Sequence, residues 1–141
     1  MHAAMRDPQP PAAPFSLTLR VYWEDTDAGG VVFYANYLKF FERARTEWLR
    51  ERGVAQQALA ESTGAIFVVA DVQLRYRAPA RLDDVLNITV ALRESTRVSM
   101  QLAQQAWCGE QLLCEGDVRI ACVDRGTFRP RRIPSLITDR L

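Results

Sequence analysis

The sequence predicts an α+β domain: a curved antiparallel sheet of about five strands wrapped around one long helix. Residues 36–52 repeat apolar side chains at helical spacing, and five other stretches alternate apolar and polar residues with period two. The last three of those stretches are separated by intervals short enough for hairpins. Only one substantial helix is available to cover the apolar face of the strands, so it must lie across the sheet.

Pro8, Pro10, Pro11 and Pro14 mark residues 1–14 as an extended, poorly ordered leader, which leaves residues 15–141 as a single domain. Phe15 to Tyr22 sets Phe15, Leu17, Leu19 and Val21 against Ser16, Thr18, Arg20 and Tyr22, a first strand. In the helix, Tyr37, Phe41, Ala44 and Trp48 form a stripe flanked by Leu38, Phe40 and Leu49, and Gly53 supplies the stop. Val54 to Glu61 carries a shorter helical signal that ends near Ser62-Thr63-Gly64. Ala65 to Arg77 opens as an unbroken apolar run through Ala70, then alternates Val72, Leu74 and Tyr76 with polar neighbours, and Pro79 ends it. Val85 to Arg93 puts Leu86, Ile88, Val90 and Leu92 on one face, and Val98 to Cys108 follows the turn Glu94-Ser95-Thr96-Arg97. Gly109-Glu110 leads into Leu112 to Asp124, where Cys114, Gly116, Val118, Ile120 and Cys122 share a face. A helix cradled by a sheet in this way is the hotdog architecture.

Composition narrows the partners. A chain of 141 residues with 48% hydrophobic content can bury a core without disulfide or metal support. A net charge of +1 lacks the basic excess of a nucleic-acid or anionic-membrane coat, so small molecules and other proteins are the expected partners and nucleic acid is not. No run approaches the roughly 18 apolar residues of a spanning helix, and the start has no secretory core, so a cytoplasmic location is expected. Cys108, Cys114 and Cys122 form no C-x-x-C pair and the single histidine is His2, so the cysteines read as small apolar strand residues. No metal or prosthetic group is expected.

The chemistry concentrates between Trp23 and Arg52, where acidic residues sit beside a glycine pair directly before the long helix. A helix start offers unpaired N–H groups and the positive end of the macrodipole, so a reacting oxyanion can be held next to a carboxylate. Asp27 is the candidate acid, with pinning the loop or capping the helix as its structural alternative. Glu24 and Asp25 read as loop hydrogen bonders or solvated carboxylates. Gly29 and Gly30 have no side chain to block a ligand's approach to the backbone. Asp25-x-Asp27 also looks like the opening of a calcium loop, but Gly29 and Asn36 occupy its fifth and twelfth positions, where ligands are needed. Glu42 and Glu47 read as salt-bridged structural acids, and most of the aromatic stripe reads as core.

The run Glu24-Asp25-Thr26-Asp27-Ala28-Gly29-Gly30-Val31-Val32, the following Tyr37, and Phe41-Glu42-Arg43-Ala44-Arg45-Thr46-Glu47 resemble the signature of hotdog thioesterases of the 4-hydroxybenzoyl-CoA type. Within that group the chain is most similar to the Tol-Pal-associated acyl-CoA thioesterases, and R-Y-R-A-P-A from Arg75 and R-I-P around Ile133 extend the likeness. The resemblance implies hydrolysis of a small or medium acyl-CoA to free acid and CoA. It makes Asp27 catalytic, as nucleophile or as the base for water, and gives the Tyr34 amide the task of polarising the thioester carbonyl. Gly29, Gly30, Val31 and Tyr37 are the expected substrate contacts. Where the family often carries histidine this chain has Tyr34, whose side chain can hydrogen-bond but is a poor base near neutral pH.

Arg125-Gly-Thr-Phe-Arg129-Pro-Arg131-Arg132 is the one basic cluster, and Arg129, Arg131 and Arg132 are the candidates for the phosphates of coenzyme A, with solvated terminal charge as the alternative. The family likeness implies a homodimer or tetramer with the pantetheine arm between subunits. It also admits an acyl carrier protein as a partner and a position peripheral to the inner membrane. A non-hydrolytic acyl-CoA or carrier-protein binding or scaffold protein of an envelope complex remains the competing class. A hotdog dehydratase is disfavoured because its histidine has no counterpart outside residues 1–14.

Overall fold

The computed structural model describes residues 15–141, so the expected leader lies outside the described residues. Strands β1 (Phe15–Arg20), β2 (Ala65–Tyr76), β3 (Val85–Ser95), β4 (Ser99–Cys108) and β5 (Gln111–Asp124) form one antiparallel sheet in the order β1-β3-β4-β5-β2. The two hairpins β3–β4 and β4–β5 make its centre. β1 joins β3 and β2 joins β5, so these two strands are the edges.

Helix α1 (Asn36–Glu51) buries Tyr37, Phe40, Phe41, Ala44, Trp48 and Leu49 and packs against β3, β1 and β4. Leu86, Ile88 and Val90 of β3 and Cys114, Val118, Ile120 and Cys122 of β5 meet it from the sheet, on the faces the alternation predicts. A Cβ at Gly116 would stand 2.6 Å from Leu74 Cδ2 and 3.1 Å from Phe41 Cε2, so the helix seats this close to β5 only over a glycine. Truncating a fully buried ring such as Phe41 to alanine removes about 3–5 kcal/mol. Gly53 ends the helix at φ +80°, and α2 (Gln56–Thr63) ends at Gly64 with φ +79°.

Three local outcomes differ from the periodicity. β1 stops at Arg20 instead of Tyr22, because the Val21 N–H turns to Asp84 O and Trp23–Asp25 forms a 3₁₀ turn; Val21 stays buried and so prolongs the alternation in sequence. The short helix runs two residues later than Val54–Glu61, since its stop is set by Gly64. A four-residue helix, α3 (Ser135–Thr138), is too brief to show a period, and beyond it Arg140 Nη1 donates to Arg52 O and Gly53 O at the end of α1. The three cysteines are free, and burial pushes the Cys114 thiol up to about 12.

Candidate active site

The segment before α1 is fixed from its acidic end. Asp25 is a hydrogen bonder, as the sequence reads: its carboxylate, 9% exposed, accepts the Tyr22 N–H at 2.8 Å. Its carbonyl accepts Phe33 N–H at 2.9 Å and Asn36 Nδ2 at 2.8 Å, which sets where the helix begins relative to the loop. Between these anchors the chain makes a tight turn, Asp27 N–H donating to Val31 O and Gly30 N–H to Asp27 O, with Gly30 at φ +79°. Val32 N–H donates to Ala80 O at 2.8 Å and Val31 bridges Arg81, so the turn is tied to the segment after β2.

Asp27 is exposed, on an open surface of the single chain. Its Oδ1 accepts the Gly29 N–H at 2.8 Å, while Oδ2 accepts nothing among the described residues. A Cβ on Gly29 would lie 3.2 Å from that Oδ1, so glycine leaves the carboxylate room to fold back over the turn. At the helix start, the Tyr34 amide donates to no acceptor among the described residues. The adjoining peptide is held from the other side, Tyr76 Oη donating to Tyr34 O at 2.9 Å. A tethered carboxylate on the loop that leads to an uncommitted amide can act on a carbonyl carbon whose oxygen that amide stabilises.

In the sequence Tyr76 is one more residue of an alternating strand and the second residue of the R-Y-R-A-P-A run, with no role of its own. Its ring packs edge-on to Tyr34 and Tyr37, at centroid distances of 6.2 and 5.7 Å. Tyr37 itself is 3% exposed, beneath the surface on which Phe33, Tyr34 and Tyr76 are open. Burial pushes its phenol up to about 12, against a hydrogen bond from the Ala80 backbone. Within the single chain Tyr37 therefore belongs to the core face of α1.

The structure joins Asp27, Gly29, Gly30, Val31 and Tyr34 in one region and separates them from Arg129, Arg131 and Arg132. Tyr76 ends β2 beside Tyr34, whereas Arg131 meets Thr63 and Asp124 at the other end of that strand. Twelve residues of strand span roughly 35–40 Å. Arg131 is also committed there: Nη1 donates to Thr63 O and lies 3.6 Å from Asp124 Oδ1. Amides of Thr127 and Gly126 hold the Asp124 carboxyl below the usual carboxylate range. Arg129 and Arg132 are exposed.

The helical acids divide. Glu47 pairs with Arg50 at 3.0 Å, as a structural acid should. Glu42 makes no ion pair among the described residues and borders a cavity of about 500 Å³ between α1 and β2, walled by Leu38, Val69, Val72 and Val118. Helical periodicity placed Glu42 off the buried stripe but could not show that this flank faces a cavity.

Residues 21–141 match the family model described as the thioesterase-like superfamily. A Haemophilus influenzae protein called acyl-CoA thioesterase YbgC is 42% identical over 120 residues, 85% of this chain and 88% of its own length. The Escherichia coli acyl-CoA thioester hydrolase YbgC is 45% identical over 124 residues, 87% of this chain and 92% of the relative. The crystal structure of a probable thioesterase from Bartonella henselae superposes with a TM-score of 0.83 at 34% identity, covering 86% of this chain and 100% of that one. With the helix-in-sheet architecture and the Asp27 loop on the same footing as these matches, the chain belongs to the thioesterase-like superfamily.

Proposed function

We propose that this protein hydrolyses small or medium acyl-CoA thioesters to free acid and CoA, with Asp27 at the thioester carbon and the Tyr34 amide at its oxygen. One observation carries the assignment of roles: a carboxylate with one oxygen tethered to Gly29 and the other uncommitted, on the loop that leads into a helix start whose amide has no acceptor. As the thioester carbonyl is attacked, charge develops on its oxygen, and a backbone donor placed there contributes about 3–4 kcal/mol in other acyl-transfer systems. Asp27 either attacks the carbon itself or aligns and deprotonates water. Gly29, Gly30 and Val31 form the wall along which the thioester lies, and the donor is main chain, so tyrosine in place of the family's frequent histidine leaves it intact.

The exposure of Asp27 calls for a second subunit. β2 presents an unpaired edge of twelve residues with Val69 and Val72 exposed, a surface that soluble proteins cover. Pairing two β2 edges antiparallel about a twofold axis brings the Tyr76 end of one strand to the Gly64 end of the other. The arginine segment of one subunit then stands near the Asp27 loop of its partner, where coenzyme A phosphates need cations. Further pairing to a tetramer leaves this arrangement unchanged.

The same exposure favours one competing reading, binding of acyl-CoA or acyl carrier protein without hydrolysis. Release of free thiol from a panel of acyl-CoAs differing in length and aromaticity, with one acyl carrier protein thioester added, separates the two. Turnover that disappears in Asp27→Asn supports hydrolysis; a flat response from every thioester, with binding retained, selects the alternative.

A further inference from the structure

Arg45 is an anomaly that the proposed hydrolysis does not use. It lies on α1 at 9% exposure and makes no ion pair among the described residues. Its Nη1 donates to Gln104 Oε1 at 3.0 Å. Gln104 is fully buried and its Nε2 donates to Phe41 O at 3.0 Å, so the amide is locked with its oxygen toward the guanidinium. Nε and Nη2 of Arg45 donate to nothing among the described residues, and neither is sealed: the sealed, unpaired side-chain nitrogen of the described residues is Arg52 Nε. Arginine this deeply buried usually has a carboxylate paired with it, whereas here Glu42, one turn away, acts on Arg45 only through space without an ion pair.

The open nitrogens have a cavity to face. Arg45, Glu42 and Val69 border both the 500 Å³ cavity and a smaller one of about 130 Å³ that continues past Thr46 and Leu49, so the two form a groove along α1. Its upper walls are apolar, but its charged lining is Lys39, Arg43 and Arg45 against Glu42 alone. A greasy slot with a net cationic lining fits a chain that is apolar along its length and anionic at its tip. The distance suits the site already described. Asn36 to Arg45 covers nine residues, roughly 14 Å of helix axis, and the Arg45 side chain leans back toward the helix start, so an extended medium-length acyl chain that leaves the Tyr34 amide along α1 brings its far end within reach of the guanidinium.

We propose that Arg45, oriented by Gln104, binds a carboxylate at the far end of the acyl group, making CoA thioesters of dicarboxylic acids the favoured substrates. This rests on the hydrolytic reading for where the thioester lies. A planar guanidinium with two open N–H directions matches a carboxylate in bidentate fashion, which a hydroxyl or a methyl terminus does not reproduce. Glu42 opposes the same anion, so the selectivity comes from the excess of cations over that single acid.

The test compares octanoyl-CoA with suberoyl-CoA in the full-length protein, measuring kcat/KM. Alongside, calorimetry measures binding of the matching S-alkyl thioethers of CoA, with and without a terminal carboxylate. The wild type should favour the carboxylate by about tenfold or more in both measurements. Arg45→Met should bring the ratio to about one or below, and Arg45→Lys, which keeps charge but loses the fork, should fall between. Equal handling of the pair by the wild type overturns the proposal, as does a ratio that survives Arg45→Met. Loss of the oligomer in Arg45→Met by analytical ultracentrifugation also overturns it, assigning Arg45 to a subunit contact. If Arg45→Met does not fold, the wild-type thioether pair decides alone. If no thioester is hydrolysed but the carboxylate thioether still binds more tightly, the hydrolytic reading falls while the carboxylate-binding role of Arg45 stands.

Discussion

The two ends of β2 are built on opposite terms. At the Tyr76 end, polar groups are positioned and then left open: Asp27 Oδ2 and the Tyr34 amide meet no acceptor or donor among the described residues, although Asp25, Gly29 and Tyr76 fix everything around them. At the Gly64 end, polar groups are consumed internally, with Arg131 on Thr63 O and Asp124, and Asp124 on the amides of Gly126 and Thr127. Open, pre-oriented groups stabilise a charge that appears during reaction, whereas committed groups stabilise the fold. The first end has the open groups that the proposed reaction needs, and the second is a brace whose exposed Arg125, Arg129 and Arg132 make no ion pair among the described residues.

The largest effect should come from the open end. Asp27→Asn keeps size and the Gly29 tether but removes the charge, and turnover should fall by at least about a hundredfold with the unfolding temperature little changed. Near-normal turnover in a folded variant would dissolve the contrast, because the open carboxylate would then be doing nothing chemical. Next comes the strand between the ends. Ala70→Glu puts a charge on the exposed edge outside the acyl groove, and ultracentrifugation should show dissociation together with a loss of turnover of about tenfold or more. A fully active monomer would show that one chain completes the site by itself.

The core of this contrast was legible in the sequence at one end and misleading at the other. The long helix, the three central strands and the glycine stops could be read because each repeats a period or carries a residue demanded by φ near +80°. Asp27, Gly29, Gly30 and Tyr34 are near neighbours in sequence, so a local motif could assemble them. The arginines could be grouped with Asp27 only by chemistry, and chain distance along β2 separates what chemistry had joined. Tyr76 and Arg45 lie inside runs that carry the family likeness, but nothing local gives either a role of its own, and only the approach of β2 to α1 supplies one.

The committed end offers a finer separation. Arg132→Met, at an exposed position, should leave thermal stability unchanged and raise KM for acyl-CoA about threefold to tenfold, while KM for the matching acyl-pantetheine stays as it was. Arg131→Met should lower stability by about 1 kcal/mol through the lost Thr63 contact, its partly exposed ion pair with Asp124 contributing little. An Arg132 effect that is the same for both substrates would remove the nucleotide from that end of the strand.

The smallest effect distinguishes the ends by alkaline titration. Burial raises the Tyr37 phenol from 10.0 to about 12 at the open end, with the charges of Cys114 and Tyr76 adding to it. At the braced end burial also raises the Cys122 thiol, but there the Arg131 charge opposes it. An acid whose folded form holds its proton more tightly than the unfolded chain contributes stability that is complete below its unfolded pKa. That contribution is lost as pH climbs through the folded value. For Tyr37 the loss falls between about pH 10 and about pH 12 and amounts to no more than about 2 kcal/mol. Urea unfolding at about pH 8 and about pH 11 should therefore show a shallower alkaline loss in Tyr37→Phe than in the wild type. Cys122→Ala should flatten the curve more in the Arg131→Met background than in the wild type, since the nearby guanidinium favours the thiolate in the folded state. A Cys122→Ala effect that is no larger in the Arg131→Met background would mean that Arg131 exerts no field on the strand it braces.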